Sequence, residues 1–373
     1  HMAMSHNLWR HITIFIGGQG IVVVILGLFV HGATGAFKLY VGEARDEKVL
    51  PNIRQTARFI WIVSLVYLIL GTLILGLVLF SEGMPLWESF FHAACIFMAG
   101  YDTGGFAPQQ QNIQYYHSFA VEMICCVFML LGAINFLLHY TIWSGKRKEL
   151  LRNVETVTLF FSVVLIYASV ALGLTRIHAY ADELTLFRRG FFQLISAHTG
   201  TGFQTIYPVQ FINEWESLSI FGILLAMSLG GCICSTTGGI KALRLSIMVK
   251  AFKTDIKRYV SPEAAVFVEK IHHVKDMILT EKQMLAAFMI TLAYITTFFL
   301  GTLAGMLCGY PFIQSLFESI SATGNVGLSC GVTDVAMPTA LKVTYIIQMW
   351  AGRLEFMSVF VLLGFILAVV KGK

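Results

Sequence analysis

Long apolar stretches alternate with shorter polar segments along the whole chain. Each stretch has few or no charged residues and is about as long as the roughly 20 residues that a helix needs to cross a bilayer. This pattern predicts an all-α polytopic membrane protein. The seven predicted crossings are residues 12–30, 61–80, 123–143, 157–175, 218–240, 284–308 and 343–370.

Three of the polar segments contain a glycine-rich loop that follows a short amphipathic run. Non-helical backbone at membrane depth is tolerated only where it is buried in protein or lines a watery cavity. We therefore predict three half-membrane helices, at 86–100, 184–197 and 311–322, each ending in a loop that lines a pore. The glycine loops are 101–106, 197–203 and 322–328, and their last glycines are Gly105, Gly202 and Gly327.

The residues of the glycine loops indicate a cation pathway. Glycine reaches backbone conformations closed to other residues and lets carbonyl oxygens approach an ion closely. Loops around one axis could replace the water shell of a cation, with the negative ends of the half-helices directed at it. Asp102 either raises the local cation concentration at the outer mouth or caps its loop. The predicted ion-binding residues of this selectivity filter are Asp102, Thr103, Gly104, Gly105, Thr199, Gly200, Thr201, Gly202, Thr323, Gly324, Asn325, Val326 and Gly327.

A second set of glycines indicates an internal repeat. Gly132, Gly230 and Gly352 lie in the crossings after the loops, 27, 28 and 25 residues beyond the last loop glycines. Unrelated hydrophobic hairpins are not expected to keep such a spacing. We predict three complete repeats of helix, pore loop and helix, and a truncated first repeat that leaves the pore one wall short. The predicted units are 1–57, with the inner helix of the first repeat and a cytoplasmic loop, then 58–153, 154–279 and 280–373.

Composition supports the membrane assignment, and the placement of charge gives the orientation. Of 373 residues, 57% are hydrophobic and 13% are charged, and the mean hydropathy is +0.74. Segments 31–57, 144–153 and 241–282 hold seventeen Lys and Arg, whereas the segments with the glycine loops hold only Arg188 and Arg189. By the positive-inside rule the basic segments and the C-terminus are cytoplasmic, and the loops enter from outside. The net charge of +5 therefore reflects topology rather than nucleic-acid binding.

The two exceptional arginines on the outer side need a partner. We expect Arg188 and Arg189 at the mouth of their half-helix, or paired with Asp182 or Glu183.

The crossing at 218–240 carries a polar interruption that predicts a gate. Glycine costs about 1 kcal/mol against alanine in a helix interior, and hydroxyl side chains compete for backbone hydrogen bonds. Such a break could form a movable barrier, the alternative being a helix-packing face of small residues. The predicted gate residues are Gly231, Cys232, Ser235, Thr236, Thr237, Gly238, Gly239, Lys241 and, from the last crossing, Arg353.

Arg353 and Glu355 are charged residues inside the last apolar span. A charge at membrane depth is costly, so Arg353 is expected to face a cavity or a partner. Residues two apart do not share a helix face, which argues against a simple mutual ion pair. The alternative is an arginine neutralised by a carboxylate for structural reasons.

Together these motifs resemble the Trk/Ktr/HKT superfamily of potassium and sodium translocating membrane subunits. The glycine loops, segment 230–241 and segment 351–355 carry the similarity, and segments 51–57 and 257–262 look closest to the bacterial TrkH branch. The resemblance implies a potassium-selective pore of four pseudo-repeats in the cytoplasmic membrane, which works as a homodimer and binds K⁺ at the loop residues. It also implies a gate at 230–240 beside Arg353, and a cytoplasmic RCK-type nucleotide-binding regulatory subunit similar to TrkA.

Two other functions are compatible with parts of the sequence. A sodium-selective or Na⁺/H⁺-coupled symporter on the same fold would differ at the first-repeat loop position, which this sequence does not contain. A membrane-embedded redox or metal enzyme would use cysteines such as Cys232 and Cys234, but these have no second ligand pair nearby. Because no HExxH, GxSxG or P-loop motif is present, we predict a transporter rather than an enzyme.

Overall fold

A computed structural model describes residues 2–19, 53–262 and 269–371, and within them the fold is almost entirely helical. The rest of the predicted first crossing beyond Gln19, and most of the predicted cytoplasmic segment 31–57, lie outside the described residues. The helices are α1 Met4–Gln19, α2 Ile53–Ser81, α3 Leu86–Tyr101, α4 Phe119–Ala133, α5 Phe136–Trp143, α6 Glu149–Arg152, α7 Val154–Arg176, α8 Glu183–His198, α9 Gln210–Asn213, α10 Ser217–Ser228, α11 Ala242–Val260, α12 Glu281–Leu307, α13 Phe312–Gly324, α14 Thr339–Arg353 and α15 Met357–Val370.

Three long helices, α2, α7 and α12, are apolar enough to cross a membrane unbroken. Their spanning portions hold 27, 23 and 27 residues. α7 is capped at its start by Asn153, whose side chain accepts the Glu155 N–H. In α12, Thr280 and Gln283 form a reciprocal capping box that fixes where the helix begins.

The crossings predicted at 123–143 and 343–370 are wrong as single straight helices. α4 and α5 meet at an angle of 101°, and α14 and α15 at 105°. At the first bend the Asn135 side chain accepts the Leu137 N–H and so starts a new helix. At the second, Glu355 and Phe356 have φ values of 52° and 62°, which end a right-handed helix. Counting each bent pair as one span gives five spanning units among the described residues.

The predicted crossing at 218–240 is also interrupted. α10 ends at Ser228, after 12 residues, and the chain resumes as α11 only at Ala242. Leu229 and Ile240 pair as a short parallel bridge, so the intervening residues leave the helix line and return to it. The predicted break is therefore present, and it is a loop rather than a kink.

The half-membrane helices α3, α8 and α13 lie between the long helices and the inner helices. Two hydrophobic clusters form around them, one joining α2, α3 and α4, the other joining α7, α10, α12, α13 and α14. Buried large side chains such as Phe97, Phe192 and Phe317 come from the half-helices themselves. Because the half-helices are held on several sides, the loops at their C-termini have a fixed position.

Beyond α11 the chain forms a small antiparallel hairpin from β1 Lys270–His273 and β2 Lys275–Ile278. Its buried side chain Ile271 packs with Leu279, with Ile247 of α11 and with Ala287 of α12. The hairpin is thus attached to the end of the bundle that carries the basic segments.

Candidate ion pathway

The three glycine loops have the same backbone design. Each begins with a hydrogen bond from a loop N–H to the carbonyl five residues earlier in the half-helix: Gly104 to Ala99 at 2.8 Å, Thr201 to Ser196 at 2.9 Å and Val326 to Ser321 at 2.9 Å. Each loop also contains two residues with positive φ angles, separated by one other residue. The pairs are Thr103 and Gly105, Gly200 and Gly202, and Asn325 and Gly327.

Two serines that sequence reasoning missed hold the ends of these loops. The Ser196 hydroxyl donates to the Phe203 carbonyl at 2.7 Å, and the Ser321 hydroxyl donates to the Leu328 carbonyl at 2.6 Å. Both serines lie six residues before the last loop glycine, a match visible in the aligned sequences. The first loop has Ala99 at that position, and there Asn112 donates to the Gly105 carbonyl at 2.8 Å.

Neighbouring loops touch through their last glycines. A Cβ atom added to Gly105 would lie 2.2 Å from the carbonyl oxygen of Thr201, and one added to Gly202 would lie 2.1 Å from that of Val326. Real Cβ atoms do not approach an oxygen so closely, so these contacts require glycine. The first loop therefore abuts the second, and the second abuts the third. Gly327 has no neighbour within 4 Å of its added Cβ among the described residues.

A cavity of about 500 Å³ opens between the first and third loops. Thr103 and Gly104 line it from one side, and Asn325, Val326 and Gly327 line it from the other. Asp102 is buried at the C-cap of α3, and its Oδ1 accepts a hydrogen bond from Gln19 of α1 at 2.8 Å. That burial favours a role in anchoring the loop over one at the outer mouth.

The glycines that suggested a repeat lie where inner helices touch half-helix ends. A Cβ on Gly132 would sit 1.9 Å from the Tyr101 carbonyl oxygen, and one on Gly352 would sit 1.9 Å from that of Thr323. Tyr101 and Thr323 are equivalent, four residues before the last loop glycine. At Gly230 the same close approach is made by the Gly238 carbonyl instead, so the interruption itself occupies that place.

We name residues 229–241 the gate segment. It lies against all three glycine loops. Thr236 Oγ1 is 3.0 Å from the Tyr101 carbonyl, a Cβ on Gly238 would lie 2.1 Å from the Gly324 carbonyl oxygen, and a Cβ on Gly200 would lie 3.5 Å from the Gly238 nitrogen. Hydroxyl side chains also link parts of the gate segment to one another. The Gly231 N–H donates to Thr237 Oγ1 at 3.0 Å, and Ser235 Oγ lies 3.0 Å from the same oxygen.

The carbonyl of Thr236 joins the gate segment to two other parts of the chain. It accepts a hydrogen bond from Thr103 Oγ1 at 2.9 Å and another from Arg353 Nη1 at 3.0 Å. Arg353 is the last residue of α14, just before its bend. The predicted gate residues from two distant crossings are thus in direct contact.

A buried ion-pair cluster lies behind the gate segment. Lys241 Nζ donates to the carbonyl of Thr237 and lies 3.9 Å from Glu355, while Arg244 forms an ion pair with the same carboxylate. Glu355 is therefore shared by two cations at the start of α11. The sequence shows Glu355 only as a near neighbour of Arg353, because it does not show where α11 packs.

Arg188 and Arg189 do lie on their half-helix, α8, but the expected pairing with Asp182 or Glu183 is wrong. Arg188 makes a two-pronged contact with Glu122 of α4, at 2.5 and 2.9 Å, and Arg189 lies 3.9 Å from the same carboxylate. Asp182 instead caps α8 by accepting the Thr185 N–H at 3.0 Å. The two arginines therefore join the half-helix α8 to α4, the inner helix of the preceding repeat.

The chain matches the TrkH family of cation transport proteins over residues 2–368. It belongs to that family. The predicted resemblance and the helical membrane fold are thereby confirmed, and a TrkH-family chain is a transporter rather than an enzyme.

Relatives of the TrkH-family chain span most of its length. It is 32% identical over 354 residues to the uncharacterized cation transporter MJ1485 of Methanocaldococcus jannaschii, covering 95% of this chain and 69% of the relative. It is 31% identical over 360 residues to the Trk system potassium uptake protein TrkG of Escherichia coli, covering 93% and 70% respectively. The crystal structure of the potassium transporter TrkH from Vibrio parahaemolyticus has the same fold, with a TM-score of 0.77, 23% identity, and coverage of 97% of this chain and 73% of that one.

Proposed function

We propose that this chain forms a potassium pathway across the cytoplasmic membrane, with the three glycine loops as walls of its selectivity filter and residues 58–153, 154–279 and 280–373 as its complete repeats. The observation that carries the proposal is the contact series Gly105 to Thr201 and Gly202 to Val326. Loops that touch in succession through equivalent residues are arranged around a common axis. Carbonyl oxygens around such an axis can replace the hydration shell of a cation.

The identity of the ion rests on the relatives. TrkG of Escherichia coli and TrkH of Salmonella typhimurium are named as potassium uptake proteins of a Trk system, and the second is 26% identical over 362 residues. We take K⁺ as the transported ion here, held in turn by the predicted ion-binding residues of the three loops. Sodium transport or ion-coupled symport is the competing outcome of the test below.

The gate segment supports regulated rather than free passage. It packs directly beneath the loops and is held by Thr103, Arg353 and Lys241. Opening would require these contacts to break together. We propose that the chain works as a homodimer with a cytoplasmic RCK-type nucleotide-binding subunit, which would supply the energy for that movement through the basic cytoplasmic segments.

The test is Gly202→Ala in the complete gene product, reconstituted into lipid vesicles. The added methyl meets the Val326 carbonyl oxygen, and overpacking of this kind typically costs about 1–3 kcal/mol. The loop must shift to make room, which moves its carbonyl oxygens away from the ion axis. We expect the ratio of potassium to sodium flux to fall by about tenfold, which corresponds to about 1.4 kcal/mol less preference for potassium over sodium. Gly364→Ala is the matched control, because nothing lies within 4 Å of its added Cβ.

Size-exclusion chromatography in detergent separates a folding defect from a loss of selectivity. An unchanged ion ratio in correctly folded Gly202→Ala protein would remove this glycine from the filter. Potassium flux that requires a sodium or proton gradient in the unmodified protein would replace the proposed pathway with a coupled symporter.

A further inference from the structure

A buried carboxylate outside the candidate ion pathway contacts the gate segment from the cytoplasmic side. Glu155 is fully buried in the first turn of α7. Its Oε1 accepts the backbone N–H of Ile233, in the gate segment, at 2.7 Å. This hydrogen bond joins the first turn of α7 to the gate segment.

The other oxygen of Glu155 points to two further elements. Oε2 lies 3.4 Å from Nδ2 of Asn135, at the bend between α4 and α5, and 3.6 Å from Nδ1 of His273. His273 is the last residue of β1 in the cytoplasmic hairpin, and its side chain is also buried. One carboxylate therefore joins the gate segment, an inner-helix bend and the hairpin.

Neighbouring residues keep Glu155 and His273 in register. Asn153 caps α7 by accepting the Glu155 N–H at 2.9 Å, and its amide nitrogen lies 3.5 Å from His273 Nδ1. The adjacent His272 is 2.5 Å from Glu149 of α6. The hairpin thus sits on the α6–α7 corner through two consecutive histidines.

The hairpin is suited to move as a unit. A two-stranded hairpin has marginal stability of its own, so the contacts that seat it decide where it lies. Its outward positions Lys270 and Lys275 are exposed, while Ile271 and His273 face the protein. A cytoplasmic protein that pulled on the hairpin would act on His273 and hence on Glu155.

We propose that Glu155 is a positioning residue that couples the cytoplasmic hairpin to the gate segment, so that displacement of the hairpin releases the gate. The part-buried Ile233 N–H loses its acceptor when Glu155 follows His273, and an unpaired amide with little access to water disfavours the closed gate segment. The inference rests on the proposed gating role of the segment, and it adds the route by which a cytoplasmic event reaches it.

The experiment uses two readouts on the complete gene product without any partner subunit. Glu155→Ala, which removes the acceptor of the Ile233 N–H, and His273→Ala are each examined by hydrogen exchange of the peptide covering residues 229–241 and by rubidium flux into vesicles. Both variants should exchange faster in the gate segment and should raise basal flux about fivefold or more, the lower end of typical couplings between sites. The ratio of rubidium to sodium flux should stay unchanged, because the glycine loops are not altered.

Glu281→Ala is the matched control, since that carboxylate is exposed at the cytoplasmic end of α12 and lies 3.9 Å from the exposed Arg258. Acceleration of gate exchange by Glu155→Ala alone would overturn the coupling, because the hairpin would then have no hold on the gate. Unchanged exchange in both variants would overturn it as well. If Gly202→Ala still lowers selectivity in either case, the ion pathway survives and only this route is lost.

Discussion

At the scale of single residues, the candidate ion pathway depends on backbone contacts that leave no room for a side chain. Gly105, Gly202, Gly132 and Gly352 each face a carbonyl oxygen at a distance that a Cβ atom could not accept. The sequence showed these glycines and their spacing. It could not show what they face, because every one of these contacts joins residues far apart in the chain or in different loops.

Other residues of the candidate site were hidden for a related reason. Glu122, Glu155 and Glu355 look like isolated charges near apolar spans, and only the packed fold brings arginine, lysine or an amide to them. The sequence could predict only that each of these carboxylates, if buried, must have a partner. Which partner each one has depends on the helix neighbours, which sequence periodicity does not specify.

The serine hydroxyls that hold the ends of the second and third loops can be tested against the first loop, which has an alanine at the equivalent position. Ser321→Ala removes the donor to the Leu328 carbonyl, a buried hydrogen bond, and should lower the free energy of unfolding by about 1–3 kcal/mol. Thermal unfolding in detergent measures the effect. Ala99→Ser, which adds a hydroxyl at the equivalent position of the first loop, is the reference. If Ser321→Ala leaves the melting temperature unchanged, the hydroxyl does not hold the loop.

Glu355 and Arg353 should behave differently although they are two residues apart. Glu355→Gln leaves Lys241 and Arg244 without their shared carboxylate, and breaking a buried ion pair typically costs about 3–5 kcal/mol, so we expect poor folding. Arg353→Gln removes the hydrogen bond to the Thr236 carbonyl and leaves Glu355 with Lys241 and Arg244, so we expect folded protein with raised basal flux. Melting temperature and rubidium flux, measured on both variants, separate the two roles. Equal destabilisation without a change in flux would make Arg353 purely structural.

At the scale of elements, the sequence predicted that the helices exist better than it predicted their shape. The apolar runs at 123–143 and 343–370 continue across both bends, so hydrophobicity gives no sign of them. Asn135 was one polar signal at the first bend, where it caps the following helix. At the second bend, Glu355 and Phe356 adopt left-handed conformations that neither residue type favours, so the surrounding packing imposes the turn.

The hairpin of β1 and β2 provides an element-scale prediction that depends on pH. Hydrogen bonds to Asp276 and Glu149 raise the pKa of His272 above its ordinary value of 6.5. A raised pKa means that the stabilising contribution is complete below the ordinary value and is lost as the pH rises through the raised one. We therefore expect the hairpin to be seated most firmly at mildly acidic pH.

Limited proteolysis of residues 269–279 at pH 6 and pH 8.5 would measure this dependence, with protease activity normalised at each pH. Cleavage should increase at the higher pH in the unmodified protein and change little in His272→Gln, which cannot gain a proton. The same increase in both proteins would assign the pH dependence to another group.

At the scale of the whole molecule, the strongest sequence signal was the recurrence of one unit. Helix, half-helix, glycine loop and inner helix follow each other three times, and the loops then meet in the fold through equivalent residues. The glycine spacing revealed the recurrence because the inner helix of each unit needs a glycine where a backbone carbonyl oxygen approaches it closely. The inner helix of the unit at 154–279 departs from the pattern, since its gate segment takes the place of the contact between inner helix and half-helix in the other two units.

The positive-inside asymmetry and the membership in the TrkH family support different conclusions. Charge placement predicts which ends of the helices face the cytoplasm, and the family gives cation transport. Neither one says that the three loops bind an ion together. That claim depends on the contacts of Gly105 with Thr201 and of Gly202 with Val326.

Anomalous scattering from rubidium in crystals of the complete protein tests that claim most directly. The account predicts rubidium density on the line where the three glycine loops converge, within coordination distance of their carbonyl oxygens and above the gate segment. Rubidium density elsewhere in the molecule, with none between the loops, would contradict it.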